Sequence, residues 1–533
     1  MAHASAAIGG NTGRGWLQLL AACFTGILIP LCFTGPAVVL PSISHELGGT
    51  AVQLNWVVNG YILTYGSAMM AAGSLTDTYG RKRVWLVGLA LFTLVTFAIA
   101  WAPSVGWIDA LRLAQGLSGA AASAGAMSSL AQAFHGQART RVFSLLGTTF
   151  GLGLAFGPLA AGWMVEVAGW RWVFLATALI SVAGFGLVWA SATESRDPRA
   201  TGLDWPGAVS FTAALTVFTY GILLAPEDGW RSVTVIGSLL AAAVLFVAFV
   251  RIERRVARPM LDLSLLRRAR FVGVQVLGAS PAFFFVTLIV MLPGRFIGID
   301  GMGALEAGQM MIALAAPLLV VPFLAALLSG WFTSGVLSGA GLLLVAVGLV
   351  WLGAVLADGA GPTLVAPLAL IGIGIGLPWG LMDGMAVSVV EKERAGMATG
   401  IFNCVRVSAD GIAIAVVGAL LAFLIQGGLL GVLGAAAPAV VIEAANRTAL
   451  GDLAQATALL PGERALLLAT YDHALRWVLY VLAAASALTA VLVFALLGRS
   501  RAHEAHENAS DQLNDGASRA AKKSTKARTL GSG

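Results

Sequence analysis

Four charged residues lie well away from the ends of long apolar stretches of the sequence: Arg112, Asp383, Arg406 and Asp410. Because a charge at the centre of a membrane costs about 2.5 kcal/mol or more, these side chains should face a protein interior or water. Arg406 and Asp410 are four residues apart and would share one face of a helix. Buried charges of this kind are candidates for ion pairing or for exchange of a proton.

Asp383 and Arg406 fall at similar depths if both stretches are helical, with a rise of about 1.5 Å per residue. We therefore predict a buried cluster of Asp383, Arg406 and Asp410 in which one carboxylate exchanges a proton. A static ion pair that serves only packing explains the same residues equally well.

Aromatic and polar side chains in the apolar stretches could line a cavity for an apolar ligand. Aromatic residues in membrane helices more often pack against neighbouring helices or face lipid, so each one alone is weak evidence. The candidate cavity residues are Cys32, Trp56, Tyr61, Tyr65, Gln115, Phe283, Phe284, Phe285, Trp379 and Asn403.

The residues of enzyme and metal sites are missing from these stretches. The six histidines lie in loops, tails or at the ends of stretches, and the three cysteines have neither metal-ligand nor disulfide spacing. No Gly-Lys dipeptide occurs, which excludes a phosphate-binding loop and hence an ATP-driven pump within this chain. We expect no catalytic residue, no metal and no cofactor, and we keep a membrane-embedded enzyme as a remote alternative.

The composition shows what must surround these residues. Of the 533 residues, 58% are hydrophobic and only 11% are charged, whereas soluble domains carry about 25% charged residues. The net charge of +6 does not indicate a nucleic-acid partner, because the basic residues are scattered among short loops. The chain is therefore predicted to be an all-α integral membrane protein surrounded by the lipid bilayer.

A membrane-crossing helix needs about 20 mostly apolar residues. The first apolar run is too long for the core of a signal peptide and lacks an adjacent cleavage pattern. The fourteen predicted spans are 16–40, 54–76, 84–103, 107–132, 141–165, 172–191, 206–225, 232–252, 270–293, 307–329, 334–357, 362–388, 397–425 and 475–497.

The distribution of Lys and Arg predicts the orientation of these spans. With fourteen spans and both termini inside, 24 of the 32 basic residues fall in cytoplasmic segments and six fall outside. A miscount by one helix would place every later loop on the opposite side of the membrane and so disrupt this partition. We therefore predict a multi-pass protein of the cytoplasmic (inner) membrane with both termini in the cytoplasm.

The end of the second span reads Gly-Ser-Leu-Thr-Asp-Thr-Tyr-Gly-Arg-Lys-Arg over residues 73–83. It resembles the loop 2–3 signature of the major facilitator superfamily, G-x-L-x-D-x-x-G-R-[KR]-[KR]. That resemblance implies a latch between inward- and outward-open states, although a basic loop that only sets orientation is the simpler alternative. Gly73 is expected to permit close helix contact, and Asp77 to meet an arginine or a helix N-terminus. The implied latch residues are Gly73, Asp77, Gly80, Arg81, Lys82 and Arg83.

Two further stretches resemble motifs of the same superfamily. Residues 111–119 are similar to the R-x-x-Q-G motif of its fourth helix, which links Arg112 to proton transfer; an ion pair with Asp109 is the alternative. Residues 151–162 resemble the helix-5 motif of its antiporters, in which small residues allow close packing and Pro158 makes a kink. The implied residues of that motif are Gly153, Gly157, Pro158 and Gly162.

The chain is most similar in pattern to the fourteen-helix drug:H⁺ antiporter family. Other agreeing stretches are 56–61, 169–174, 203–207 and 258–267. The resemblance implies a major facilitator fold, with a long outer loop that contains a short helix near 461–470. Residues 498–533 are polar and rich in Ala, Ser and Lys. Such a composition cannot bury enough apolar surface to fold alone, so we predict that this tail is disordered. The predicted divisions are an N-terminal six-helix bundle (1–195), two inserted helices with a loop (196–268), a C-terminal six-helix bundle (269–497) that includes the outer loop (426–474), and a cytoplasmic tail (498–533).

The sequence departs from the family at the first helix. Members that export cations usually carry an acidic residue where this chain has Cys32, and a thiol supplies no fixed negative charge near neutral pH. Arg406, preceded by Asn403, matches the family's N-x-x-R pattern of helix 13, whereas Asp410 replaces a residue that is commonly glycine. The usual cation specificity and proton site are therefore in doubt for this chain.

Taken together, the resemblance predicts a proton-coupled antiporter that exports small amphipathic compounds by alternating access. Its expected partners are a small-molecule substrate and protons, with no obligate protein partner. Cys32 shifts the expected substrates weakly towards neutral or anionic compounds. A proton-coupled symporter for uptake is the alternative, and the helix-5 motif favours export over it.

Overall fold

The computed structural model describes residues 12–134, 136–196, 204–256, 265–356, 361–389, 395–434 and 438–498. Every regular element in these ranges is helical, and they contain no strand. The predicted C-terminal tail lies outside the described residues from residue 499 onward, as do residues 258–264 of the stretch 258–267.

The first six helices follow one another closely because short turns, several with a glycine at positive φ, separate them. They are α1 (Thr12–Leu47), α2 (Ala51–Tyr79), α3 (Arg81–Ala100), α4 (Val105–Ala133), α5 (Gly136–Ala168) and α6 (Arg171–Ser191). We call these six helices the N half.

Two helices, α7 (Trp205–Asp228) and α8 (Val233–Glu253), connect the N half to the rest of the chain. The helices that follow are α9 (269–299), α10 (Ala304–Ala315 continued by Pro317–Leu328), α11 (Ser334–Val355), α12 (Val365–Ser388), α13 (Ala395–Leu433), α14 (Pro438–Ala449), α15 (Leu453–Leu459) and α16 (Arg464–Leu497). We call α9–α13 and α16 the C half.

Twelve of the fourteen predicted spans correspond to helices that are long and apolar enough to cross a membrane. The other two, α2 and α4, are 29 residues each but carry more polar side chains. The all-helical prediction is therefore confirmed over the described residues, with about twelve apolar spans.

Two parts of the helix pattern differ from the sequence prediction. The region between the last two spans holds two short helices, α14 and α15, and α16 already begins at Arg464. In α9, two π-helical turns, Ala282–Val286 and Arg295–Ile299, interrupt the α-helix shortly after Pro281 and Pro293. Hydropathy does not reveal either feature, because amphipathic helices and π-turns leave the apolar content of a stretch unchanged.

The two halves meet mainly along two seams, and α1 also contacts α9. At one seam α2 packs against α13, and at the other α5 packs against α10. α7 contacts both α2 and α13 and so covers the first seam, whereas α8 packs mainly on α7. Inside the N half, α4 lies against α2 and α3, which brings its polar residues to the centre of that half.

The residues of the helix-5 motif lie where α5 approaches other helices most closely. A Cβ on Gly153 or Gly157 would overlap Pro30 or Thr34 of α1, and one on Gly162 would overlap the backbone of Ala304 at the start of α10. Pro158 lies opposite Gly308 of α10. Small residues at these points permit backbone contact, which is the main source of helix association in a membrane.

Replacing Gly162 with valine should push α5 away from α10. We expect this overpacking to cost about 1–3 kcal/mol, measured as a lower thermal unfolding midpoint of the detergent-solubilised protein. Gly186→Val on α6 is the matched control, because Gly186 has no neighbouring atom within 4 Å of an added Cβ. Equal midpoints for the two variants would contradict the packing role of Gly162.

Candidate functional site

Arg112 of α4 is fully buried and connects three helices of the N half. Its Nε donates to the carbonyl of Val57 on α2 (2.7 Å), its Nη2 to the carbonyl of Cys32 on α1 (2.8 Å), and its Nη1 to Oε1 of Gln115 (2.5 Å). Its guanidinium carbon lies 4.5 Å from the centre of the Tyr61 ring. Carbonyl dipoles and an aromatic face thus stabilise a cation inside the bundle.

Among the described residues, no carboxylate lies within ion-pair distance of Arg112. Asp109 lies one turn away and its buried Oδ1 has no hydrogen-bond partner among those residues, so it acts on the arginine through its charge without a direct contact. The alternative of an ion pair with Asp109 is therefore present only as this longer-range attraction. A buried cation without a directly bound counter-charge lowers stability, which favours a functional role for Arg112.

Gln115 ties Arg112 to the rest of the N half. Its Nε2 donates to Oγ1 of Thr96 on α3 (2.7 Å) and lies 3.6 Å from Sγ of Cys32. Cys32 therefore occupies the position beside Arg112 and Gln115 where a carboxylate would neutralise the arginine. A buried thiol there leaves the positive charge in place.

An aromatic group adjoins this arginine. The rings of Tyr61 and Tyr65 stack with centroids 5.8 Å apart, and Phe33 packs edge-on against both. The hydroxyl of Tyr61 is buried and has no hydrogen-bond partner. Tyr65 lies on the side of α2 that faces the C half, where the charges of Arg406 and Asp410 act on its hydroxyl.

The predicted cluster on α12 and α13 forms only in part. Arg406 lies 3.4 Å from Asp383, but 65% of the Asp383 side chain is exposed, so this pair is not buried. Asp410 is buried (7% exposed) and makes neither an ion pair nor a hydrogen bond within the part of the chain that the structure describes. The two carboxylates are thus separated: Asp383 is paired with Arg406 and accessible, whereas Asp410 is buried and interacts with Arg406 only through its charge.

Asp410 lies close to the point where α2 and α13 cross. At Gly66 the two backbones nearly touch, because an added Cβ would lie 2.9 Å from the amide nitrogen of Ser408. Asp410 therefore lies next to the seam between the halves, across from Tyr65.

The remaining cavity candidates do not gather in one place. Trp379 packs against Phe285 of α9 and Phe150 of α5, with ring centroids 6.1 and 6.5 Å away, so it bridges the two halves. Phe283 packs against alanines of α13, and Asn403 is half-buried on the same helix. Trp56 contacts α7 and lies apart from the tyrosine pair.

The predicted latch is held by contacts inside the N half. Arg81 Nη2 lies 3.0 Å from Oδ1 of Asp77, and its Nη1 donates to Gln132 at the end of α4 (2.8 Å). The backbone amides of Lys82 and Arg83 donate to the carboxylate of Glu194, which follows α6. A carboxylate at a helix N-terminus is favoured by the exposed amides and the helix dipole.

One detail of the latch prediction is wrong and another requirement was missed. A Cβ on Gly73 would meet no atom within 4 Å, so this glycine makes no close helix contact. Gly80 instead has φ 106°, a conformation that favours glycine. Glu194 was not predicted, because its role depends on the fold and its only sequence signal is an acidic residue just after a span.

A second charged cluster, at the predicted outer end of the C half, was also missed. The guanidinium of Arg295 in α9 is 3% exposed, lies 3.0 Å from Asp300 and pairs with Asp472 of α16. Burial raises the pKa of Asp300 more than the neighbouring Arg295 lowers it. This cluster ties the end of α9 to α16.

Two packed helical halves with charged residues at their centre define a membrane transporter. The chain belongs to the major facilitator superfamily, whose family model matches residues 22–415. It is 31% identical over 411 residues to the multidrug resistance protein Stp of Mycobacterium tuberculosis, with 76% of each chain covered.

Two further comparisons agree with this membership. The chain is 30% identical over 459 residues to a probable actinorhodin transporter of Streptomyces coelicolor, covering 81% of this chain and 76% of that relative. A solved bacterial homologue of the human lysosomal transporter Spinster has a TM-score of 0.62 at 16% identity, covering 92% of this chain and 98% of that one. At this identity the structural similarity shows the shared fold.

Arg112→Lys should impair transport strongly although it keeps the charge. A lysine cannot reproduce the hydrogen bonds that now reach α1, α2 and Gln115, and each such bond to a charged group contributes about 1.5–3 kcal/mol. We expect at least a tenfold lower transport rate per folded molecule in proteoliposomes. The control is Arg231→Lys in an exposed turn; equal rates for both variants would contradict the role of the Arg112 hydrogen bonds.

Proposed function

We propose that this protein is a proton-coupled antiporter that exports small amphipathic compounds across the cytoplasmic membrane. The observation that carries the proposal is the buried Asp410 carboxylate at the seam between the two halves, which makes no hydrogen bond or ion pair with the described residues. Relatives named for multidrug resistance and for actinorhodin transport support export. We further propose that the chain functions without catalytic residues.

We propose fourteen membrane spans, with both termini in the cytoplasm. The twelve apolar spans and the two 29-residue helices α2 and α4 together give that number. Each of those two helices is about 43 Å long at about 1.5 Å per residue, enough to cross the hydrocarbon layer. Several of their polar residues are buried inside the protein instead of facing lipid, among them Asn59 and Ser67 of α2 and Ser123 of α4.

Contacts near the predicted outer face support an inward-facing state. The carboxylate of Glu166 on α5 accepts a hydrogen bond from the amide of Leu305 at the start of α10 (2.9 Å). Asp383, by contrast, is exposed although it lies within a span near its predicted cytoplasmic end. An aqueous opening on the cytoplasmic side explains this exposure, because a carboxylate does not face lipid.

We assign proton exchange to Asp410. A lone carboxylate in a low-dielectric site is stable mainly when protonated, and a change in its surroundings can release the proton. When the halves rock about their seams, the surroundings of a residue at the α2–α13 crossing change. Asp383 already has Arg406 as its partner and is accessible to water, so it is better suited to receive protons or substrate from the cytoplasm.

The test of this proposal is transport by the purified protein in proteoliposomes with an imposed pH gradient. The panel should contain cationic, neutral and anionic amphipathic compounds. We expect uptake into inverted-orientation vesicles that rises when the lumen is acidic. Transport that is indifferent to the pH gradient would contradict the assignment as a proton antiporter.

Asp410→Asn should abolish the response to the pH gradient, because an amide does not exchange a proton in this range. We expect residual substrate binding and exchange to persist, since the side chain keeps its size. Asp383→Asn is the matched comparison: it should weaken transport by severalfold but leave the pH response. If Asp410→Asn retains full proton-coupled transport, proton exchange does not occur there; if only Asp383→Asn loses the pH response, the two roles are reversed.

A further inference from the structure

The two short helices α14 and α15 lie across the predicted outer ends of both halves. Arg447 near the end of α14 donates from Nη2 to the carbonyl of Gly49, in the turn between α1 and α2 (2.5 Å). Its Nε donates to Glu443 (2.7 Å) and its Nη1 lies 3.5 Å from Asp452. Two carboxylates of the C-terminal part of the chain thus position an arginine that binds the N half.

A second link joins the same two regions. The hydroxyl of Ser44, in the last turn of α1, donates to the carboxylate of Asp452. Asp452 therefore contacts both Arg447 and the N half. Both links involve the region between Ser44 and Gly49. The short helices and the turn between them therefore contact the N half at the outer end of α1.

The same short helices are attached firmly to the C half. Nε2 of Gln426 on α13 donates to Oδ1 of Asn446 (2.9 Å) and also to the carbonyl of Pro226 at the end of α7. Val441 and Leu453 are buried in one core cluster with residues of α16. When the halves separate, α14 and α15 should therefore move with the C half, and the links to α1 should break.

A small cavity lies beneath these helices. It has a volume of about 70 Å³, space for about two water molecules at about 30 Å³ each. Known ligand pockets hold about 300–1,000 Å³, so the cavity is too small for a substrate in this state. Its walls come from both halves and α7, and they include Asn55 of α2, Leu223 of α7, Met291 of α9, Gly418 of α13 and Asn446 of α14.

We propose that residues 438–459 form an outer lid over this cavity, that the cavity is the closed form of the vestibule through which substrate leaves, and that Arg447 holds the lid against α1. The vestibule carries two amide side chains among apolar walls, which suits an amphipathic molecule with hydrogen-bonding groups. This inference deepens the proposed function, because it requires the halves to alternate between inward- and outward-open states.

The lid is tested by access of a membrane-impermeant maleimide to Asn55→Cys from outside intact cells. The chain without Asn55→Cys gives the background from its three native cysteines. We expect slow labelling of Asn55→Cys alone and at least fivefold faster labelling when Arg447→Ala is added. Arg464→Ala is the control, since Arg464 is an exposed arginine at the start of α16 with no ion pair among the described residues. Equal labelling rates for the two arginine variants would overturn the proposal.

A cross-link that replaces the Ser44–Asp452 hydrogen bond by a covalent bond provides a second test. Ser44→Cys combined with Asp452→Cys should form a disulfide under mild oxidation, stop labelling at Asn55→Cys and stop transport; reduction should restore both. Size-exclusion chromatography verifies that each variant folds. Full labelling with the disulfide intact would overturn the lid.

The labelling experiments need neither a substrate nor a pH gradient, so they separate the two proposals. If the lid variants change the labelling rate while transport does not respond to the pH gradient, the lid proposal is supported and the proton-coupling proposal is contradicted. If transport responds to the pH gradient while the labelling rate is unaffected by Arg447→Ala and by the disulfide, the proton-coupling proposal is supported and the lid proposal is contradicted.

Discussion

The structure depends on how one buried cation is accommodated. Arg112 cannot lose its charge and contacts no carboxylate among the described residues, so the carbonyls of Val57 and Cys32 and the side chain of Gln115 must be held in position around it. Those groups come from α1, α2 and α4, which fixes the three helices relative to one another. The N half therefore behaves as a rigid unit whose charged centre is shielded by Tyr61.

Rigid halves confine motion to the seams between them. At one seam, backbone contact at Gly162 and the Glu166 carboxylate join α5 to α10. At the other, backbone contact at Gly66 joins α2 to α13 next to Asp410. Because both contacts consist of backbone approaches and few hydrogen bonds, they can be exchanged for others without unfolding either half. When such contacts are exchanged, the solvation of a titratable group at the seam changes, and with it the relative stability of its charged and neutral forms.

The sequence alone predicts those features that depend on one stretch of chain. Apolar runs locate the spans, and the cost of a charge in lipid places Arg112 inside the bundle. It does not predict that Glu194 caps α3 or that Arg447 reaches Gly49, since these contacts join distant segments. The separation of Asp410 from Arg406 was missed for a related reason: four residues of spacing bring two side chains to one helix face, but the neighbouring helix decides where each one points.

Cys32 and Asp410 form complementary departures from the family pattern. With a thiol at position 32, the centre of the N half keeps an arginine without an acid on α1 beside it. The buried carboxylate that makes no hydrogen bond or ion pair with the described residues belongs to the C half and lies at a seam. On the assignment proposed above, a proton bound at Asp410 would be exposed to the relative movement of the halves, whereas a proton beside Arg112 would be enclosed by one half alone. An acid on α13 in place of one on α1 would then couple protonation more directly to the change of access.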